Sequence, residues 1–272
     1  MNKTIIRNSI TVVLFLFFST FAAAQSAVGS DAFLQFDEDV VNGTTGTPLG
    51  GFGCGGVKFN ANNGHFAVMP TPPADAYDFH ELRGAAIQLN VSRGGQSETV
   101  KALKAAVING RPDDDAFWPL HRVNFGVTNG VEVRMTGYSP LDNEAYDNMH
   151  LPYALYEFTL TNTAKTPVDA TLGLMWPADA DSTASWHVAA SRQGTVRLKA
   201  GKSCTLRYAV AWYNRTDPEL GYYMNLYQEP KAIAEHGLKV FDRLKRNAED
   251  FAGRMRASSL PGWLKKKQYI EQ

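Results

Sequence analysis

The sequence predicts a mainly β chain, an antiparallel β-sandwich followed by a long C-terminal amphipathic connector helix, and three observations predict it. Ala154, Tyr156, Phe158 and Leu160 alternate with Leu155, Glu157 and Thr159. After a polar stretch, Val168, Ala170, Leu172, Leu174 and Trp176 alternate with Asp169, Thr171, Gly173 and Met175. Successive side chains of a strand point to opposite faces, so both segments read as strands with one buried face. Near the C-terminus the period changes. Ile233, Gly237, Val240, Phe241, Leu244, Ala248, Phe251 and Met255 recur every three or four residues, which is one face of a helix of about 25 residues.

The first 24 residues read as a cleaved secretory signal: Lys3 and Arg7 precede an apolar run from Ile10 to Phe21, and Ala22, Ala23 and Ala24 supply the small residues of a cleavage site. The run falls short of the roughly 20 residues that span a bilayer, so no stable membrane insertion is expected after cleavage. The mature chain is then exported, periplasmic or secreted. Residues 25–228 are assigned to the sandwich and 229–272 to the connector helix and the start of a helical domain. Export permits a Cys54–Cys204 disulfide between the two cysteines, and two separate small buried thiols fit the sequence as well.

From Gly43 to Gly56, seven of fourteen residues are glycine. No Gly-Lys-Ser/Thr ends the run, so a tight turn packed against another layer is the reading rather than a phosphate loop. Val57 and Phe59, then Asn62-Asn63-Gly64, then Phe66 and Val68 read as strand, turn and strand. Pro70 to Asp78 reads as an extended loop. Ile87, Leu89 and Val91 are in phase for the next strand, and Thr99 to Ile108 is assigned weakly to strand. Arg111 to Asp115 reads as a solvated loop. Trp118 to Val127 leads to Asn129-Gly130, and an Asn-Gly pair between apolar alternations is a strong hairpin signal. Asn162 to Pro167 forms a turn by side-chain hydrogen bonding and proline geometry, which makes the two flanking strands expected antiparallel neighbours. Pro177 to Ser191 reads as loop. Val196 to Trp212 reads as strand, turn and strand, and the helix begins near Pro230 and ends before Ser258.

Lys plus Arg and Asp plus Glu are 27 each in 272 residues, so no global field draws nucleic acid or an acidic membrane. Glycoside hydrolysis needs two carboxyl groups on either side of the bond. Asp113, Asp114, Asp115, Glu144, Asp147 and Glu157 are available, but sequence pairs none of them, and Glu157 is expected to face outward. His80-Glu81 lacks the second His of a zinc-protease helix, Asp113 to Asp115 lack the glycine and distal Glu of an EF-hand, and no Gly-X-Ser-X-Gly elbow occurs. No metal or cofactor is expected. Aromatic side chains that could stack on a pyranose are Trp118 and Trp186, both placed in loops and therefore assigned as a carbohydrate-binding platform.

Pro48-Leu-Gly-Gly-Phe-Gly-Cys-Gly-Gly56, Gly137-Tyr-Ser-Pro140, Leu151 to Asn162, Leu174-Met-Trp-Pro177, Ala211-Trp-Tyr213 and Ser259 to Leu264, in this order, resemble the N-terminal part of glycoside hydrolase family 116. That family holds bacterial β-glucosidases and the non-lysosomal glucosylceramidase. The resemblance implies an N-terminal β-sandwich joined by the helix to a C-terminal (α/α)6 barrel. It also implies that the nucleophile and the acid/base belong to the barrel, so no catalytic residue maps onto this chain. The implied partner is a catalytic helical-barrel domain, or a neighbouring chain, with β-glucosides or glycans as ligands. A stand-alone periplasmic carbohydrate-binding or scaffold domain is the alternative. The helix stripe is expected to rest on an outer sheet face or on that partner.

Overall fold

In the computed structural model, the residues described are 46–70, 79–177, 184–214 and 221–261, and all belong to one compact unit, 44–272. Two six-stranded sheets face each other. The first runs β1 (Gly56–Asn60), β2 (His65–Met69), β3 (His80–Arg93), β11 (Val168–Met175) and β13 (Val196–Leu198), with β4 (Gln96–Val100) also paired to β3. The second runs β12 (Ala184–Ala190), β14 (Ser203–Asn214), β10 (Tyr153–Asn162), β9 (Val131–Tyr138), β8 (Leu120–Thr128) and β7 (Asp114–Phe117). A small hairpin of β5 (Val107–Ile108) and β6 (Arg111–Pro112) stands apart. All the pairings are antiparallel.

The core between the sheets is made by the residues whose alternation predicted it. Ala154, Tyr156, Phe158 and Leu160 of β10 meet Val168, Ala170 and Leu172 of β11, with Phe59, Phe66, Ile87, Leu89, Val133, Met135 and Trp212 filling the layer. The Asn129-Gly130 hairpin forms as expected, with φ of 45° and 82° at its two turn residues and Thr128 opposite Val131.

Four expectations are corrected. β10 and β11 are not neighbours: β10 pairs with β9 and β14, and β11 with β3 and β13, so the Asn162 turn carries the chain from one sheet to the other. The Asn162 amide holds that crossing, donating to Thr166 O at 2.8 Å and Leu198 O at 3.0 Å while accepting from Ala164 N at 2.8 Å. The predicted loop after Pro177 contains strand β12, whose Ala184, Trp186 and Val188 reach the core. The supposed loop at Asp113 to Asp115 leads into edge strand β7. The weak strand from Thr99 to Ile108 is interrupted, with only its two ends in β4 and β5. Pro70 closes the described stretch after β2, and the rest of the predicted loop, 71–78, lies outside the described residues.

The C-terminal helix is two helices, α1 (Pro230–Lys239) and α2 (Phe241–Ala257), joined at Val240 with φ −100° and ψ 8°. Both lie on the outer face of the second sheet. Ile233, Ala234, Phe241, Leu244, Ala248 and Ala252 pack on Leu120, Tyr138, Tyr153, Leu155, Ala209 and Ala211. A Cβ at Gly237 would sit 3.0 Å from the Tyr153 ring, so a hydrogen at this position is what lets α1 approach so closely. The bend turns Phe241 edge-on to Tyr138, with ring centroids 5.8 Å apart. The apolar stripe is therefore covered by the chain's own sheet rather than by a further body. The described residues form a three-layer stack of sheet, sheet and helix pair. Among the described residues, no helix is long and apolar enough to cross a membrane.

Candidate functional surface

Of the carboxylates that sequence offered as acids, Glu157 and Asp115 are tied to cations beneath and beside the helices. Glu157, expected to face outward, lies under α2 between Arg207 Nε at 2.9 Å and Lys245 Nζ at 2.6 Å. Arg207 also reaches Asp242 at 2.8 Å, and that contact holds the Asp242 carboxyl below its usual range. Asp142 is fully buried. Burial opposes its charge, but Asn148 Nδ2 at 2.6 Å, the backbone N–H groups of Glu144 and Ala145 and Arg243 at 2.8 Å outweigh that and lower its pKa. The His236 Nε2–H donates to Asn148 Oδ1 at 2.7 Å, and burial with Lys239 and Arg243 nearby pushes the imidazole pKa down. Asp114 holds the buried His121 at 3.1 Å, Asp113 accepts from Asn124 at 2.7 Å, and Asp115 meets Arg256 at 2.6 Å. These groups join strands to strands and strands to helices. Among the described residues, no set of three or more His, Cys, Asp or Glu gathers to hold a metal.

The two tryptophans assigned as a platform do not form one. Trp186 is in β12 and 7% exposed, tilted against Trp176 at 5.4 Å and Trp212 at 5.6 Å in the core. Trp118 sits in the tight β7–β8 connection ahead of Pro119 and is also only 7% exposed, with Phe251 of α2 edge-on at 5.4 Å. Alternation in a strand and capping by a helix buried them, and neither effect is visible from local loop chemistry. The cysteines are free. Cys54 lies in the helix-side core, its thiol pushed up to about 12 by burial, while Cys204 packs against the inter-sheet core from β14.

What the structure does assemble is a row of rings at one end of the sandwich. Tyr146 stands 5.0 Å from His150, His150 6.1 Å from Phe52, Phe52 5.8 Å from Trp118, and Trp118 5.4 Å from Phe251. The glycine-rich turn supplies Phe52, and it is fixed from below. Phe52 N donates to Met149 O at 2.7 Å, Cys54 Sγ donates to His150 O at 3.1 Å, and the His150 Nδ1–H donates to Phe52 O at 3.3 Å. Gly51 lies against the Leu151 backbone with no room for a side chain, and Gly55, at φ +79°, lies just as tightly on Met69. A 3-10 turn, Tyr146–His150, carries the open end of the row, where Tyr146 is 70% exposed. Sequence reasoning missed Tyr146, His150 and Phe52. The one signal that could have found them is the aromatic at the centre of the glycine run.

The profile of the N-terminal region of glycosyl-hydrolase family 116, described as beta-glucosidase 2, matches residues 46–187. That stretch holds Phe52, Trp118, Tyr146 and His150 of the ring row, β1 to β11 and the first part of β12, and it makes up more than half of the chain. The chain belongs to glycoside hydrolase family 116. It is a glycoside-hydrolase-associated N-terminal domain. No curated protein matches it by sequence. A polysaccharide lyase of known structure superposes with a TM-score of 0.37 at 10% identity, over 64% of this family 116 chain and 34% of the lyase. The chain thus spans about a third of that structure's length.

Proposed function

We propose that the chain is the exported N-terminal β-sandwich region of a β-glucosidase- or glucosylceramidase-like hydrolase, supporting a catalytic (α/α)6 barrel that lies outside these residues. The observation that carries this reading is the family 116 N-terminal match over residues 46–187. The structure supports it from another side. Glycoside hydrolysis needs one free carboxylate and one protonated acid either side of the bond, whereas Asp142 and Glu157 are each engaged by cations at 2.6–2.9 Å. Their job is to hold α1 and α2 on the second sheet, and the two helices carry the chain from the sandwich towards the barrel. The purified chain, assayed on an aryl β-glucoside, is expected to give no turnover. Hydrolysis abolished by a single carboxylate substitution within residues 46–261 would overturn the proposal. Signal cleavage after Ala24 is checked by N-terminal sequencing of the exported protein.

A further inference from the structure

We infer that Lys58 is a site of covalent modification: its amine, seated among apolar side chains on the outer face of the first sheet, condenses with small apolar aldehydes to an imine. Val57 and Phe59 of β1 point into the inter-sheet core, so Lys58 between them points outward. It stands opposite Ala67 of β2, and Ala67, Met69 and Phe79 form a separate buried cluster on that face. A Cβ at Gly56, the neighbouring outward position, would come within 3.3 Å of the Phe79 ring, so the glycine leaves the ring its place beside the lysine. The Lys58 Nζ lies 4.4 Å from the centre of that ring, and only 6% of the residue is exposed. Among the described residues, no carboxylate pairs with it. Glu81 of β3 stands one strand beyond Ala67 in the register, but it is engaged by Asn63 Nδ2 at 3.4 Å. His65 on β2 and His80 on β3 are the other titratable groups beside these strands, and a histidine supplies no negative charge.

An ammonium enclosed without a counter-ion is destabilised relative to the free amine. The Phe79 ring opposes this by attracting the cation, but burial wins and carries Lys58 from its ordinary 10.5 down to about 8. At pH 7.5 roughly a quarter of Lys58 is then the free amine, against roughly a thousandth of an ordinary lysine. A desolvated lysine amine is the nucleophile of imine chemistry. It attacks the aldehyde carbon, the two nitrogen protons leave with the carbonyl oxygen as water, and a C=N bond remains. No oxidant or reductant is consumed. The walls select the aldehyde. Ala67, Met69 and Phe79 offer apolar contact to a short alkyl chain, whereas the hydroxyl groups of an open-chain sugar would be buried there unpaired.

The test is labelling of the folded full-length chain with propanal at low conversion, the imine trapped by cyanoborohydride and each lysine read by peptide mass spectrometry. At pH 7.5 Lys58 is expected to label at least tenfold faster than the exposed Lys101, Lys199 and Lys202. Its rate should level off above about pH 8, where the amine is already free, while theirs keeps rising. In guanidinium the lead should vanish, because the apolar seat is gone. Lys58→Arg identifies the fast product by its loss, and the wild-type map decides the matter even if that variant does not fold. Labelling of Lys58 no faster than the exposed lysines, or its protection until the chain unfolds, overturns the assignment. Glucose in place of propanal is expected to show no preference for Lys58, and a preference there would overturn the small apolar aldehyde as the reacting class.

Discussion

Single side chains decide where this fold tolerates change. Gly55 has φ +79° and lies hard against the Met69 backbone, so Gly55→Ala meets both a disfavoured conformation and a clash. Its expected cost is about 2–4 kcal/mol in a denaturant melt, at the upper end for a point substitution. Arg243→Met leaves Asp142 buried without its cation. The expected loss is about 3–5 kcal/mol, and Asp142→Asn in the same background should recover part of it. The cysteines differ by burial: iodoacetamide should alkylate Cys204 in the native protein and Cys54 only after unfolding. Of these environments only the close packing at Gly55 was legible from the sequence, in the glycine run read as a tight turn against another layer. Periodicity placed Tyr156 and Phe158 in a core, but it could not show that Glu157 between them would find Arg207 and Lys245 under a helix, because those partners lie 50 and 88 residues away.

Elements were read well where their own pattern specified them and poorly where a distant layer did. The Asn129-Gly130 hairpin follows from two residues that accept positive φ, and the structure has it. The break at Val240 does not follow from helix propensity. On either side of it the helices make separate contacts with the sheet, Gly237 on Tyr153 and Phe241 on Tyr138. The ring row was likewise invisible, since three separate segments and α2 meet only in the folded chain. The join between α1 and the 3-10 turn is expected to be pH-sensitive. His236 has a folded-state pKa below its ordinary value of about 6.5. The unfolded chain therefore takes up a proton first. Stability is complete above the ordinary value and is lost as pH falls from there towards the depressed one. Asp142, also lowered, adds a second loss at more acidic pH, below the ordinary carboxylate range. Thermal melts between pH 7.5 and 5 should show the first loss, and His236→Gln should flatten that limb; melts carried on below pH 4 should show the second loss in both proteins.

At the scale of the whole molecule, the helix pair is part of the fold rather than an appendage. Removing the chain beyond Glu229 would uncover Tyr138, Tyr153, Leu155, Ala209 and Ala211 together. An apolar face of that extent drives association, so the shortened protein should appear aggregated by light scattering while the full chain does not. The sandwich was predicted correctly because alternation reports burial, and burial is the same whether two strands pair or face each other. The error over β10 and β11 has the same origin, since alternation carries no information about which sheet a strand joins. Their separation has a wider effect. From Tyr153 to Asn214 the strands β10, β11, β12, β13 and β14 belong to the second, first, second, first and second sheets in turn. The polypeptide is laced through both leaves, so neither can peel away while the other stays intact. Amide protons of β10 and β11 should then exchange through the same global opening, at one common rate in the slow limit.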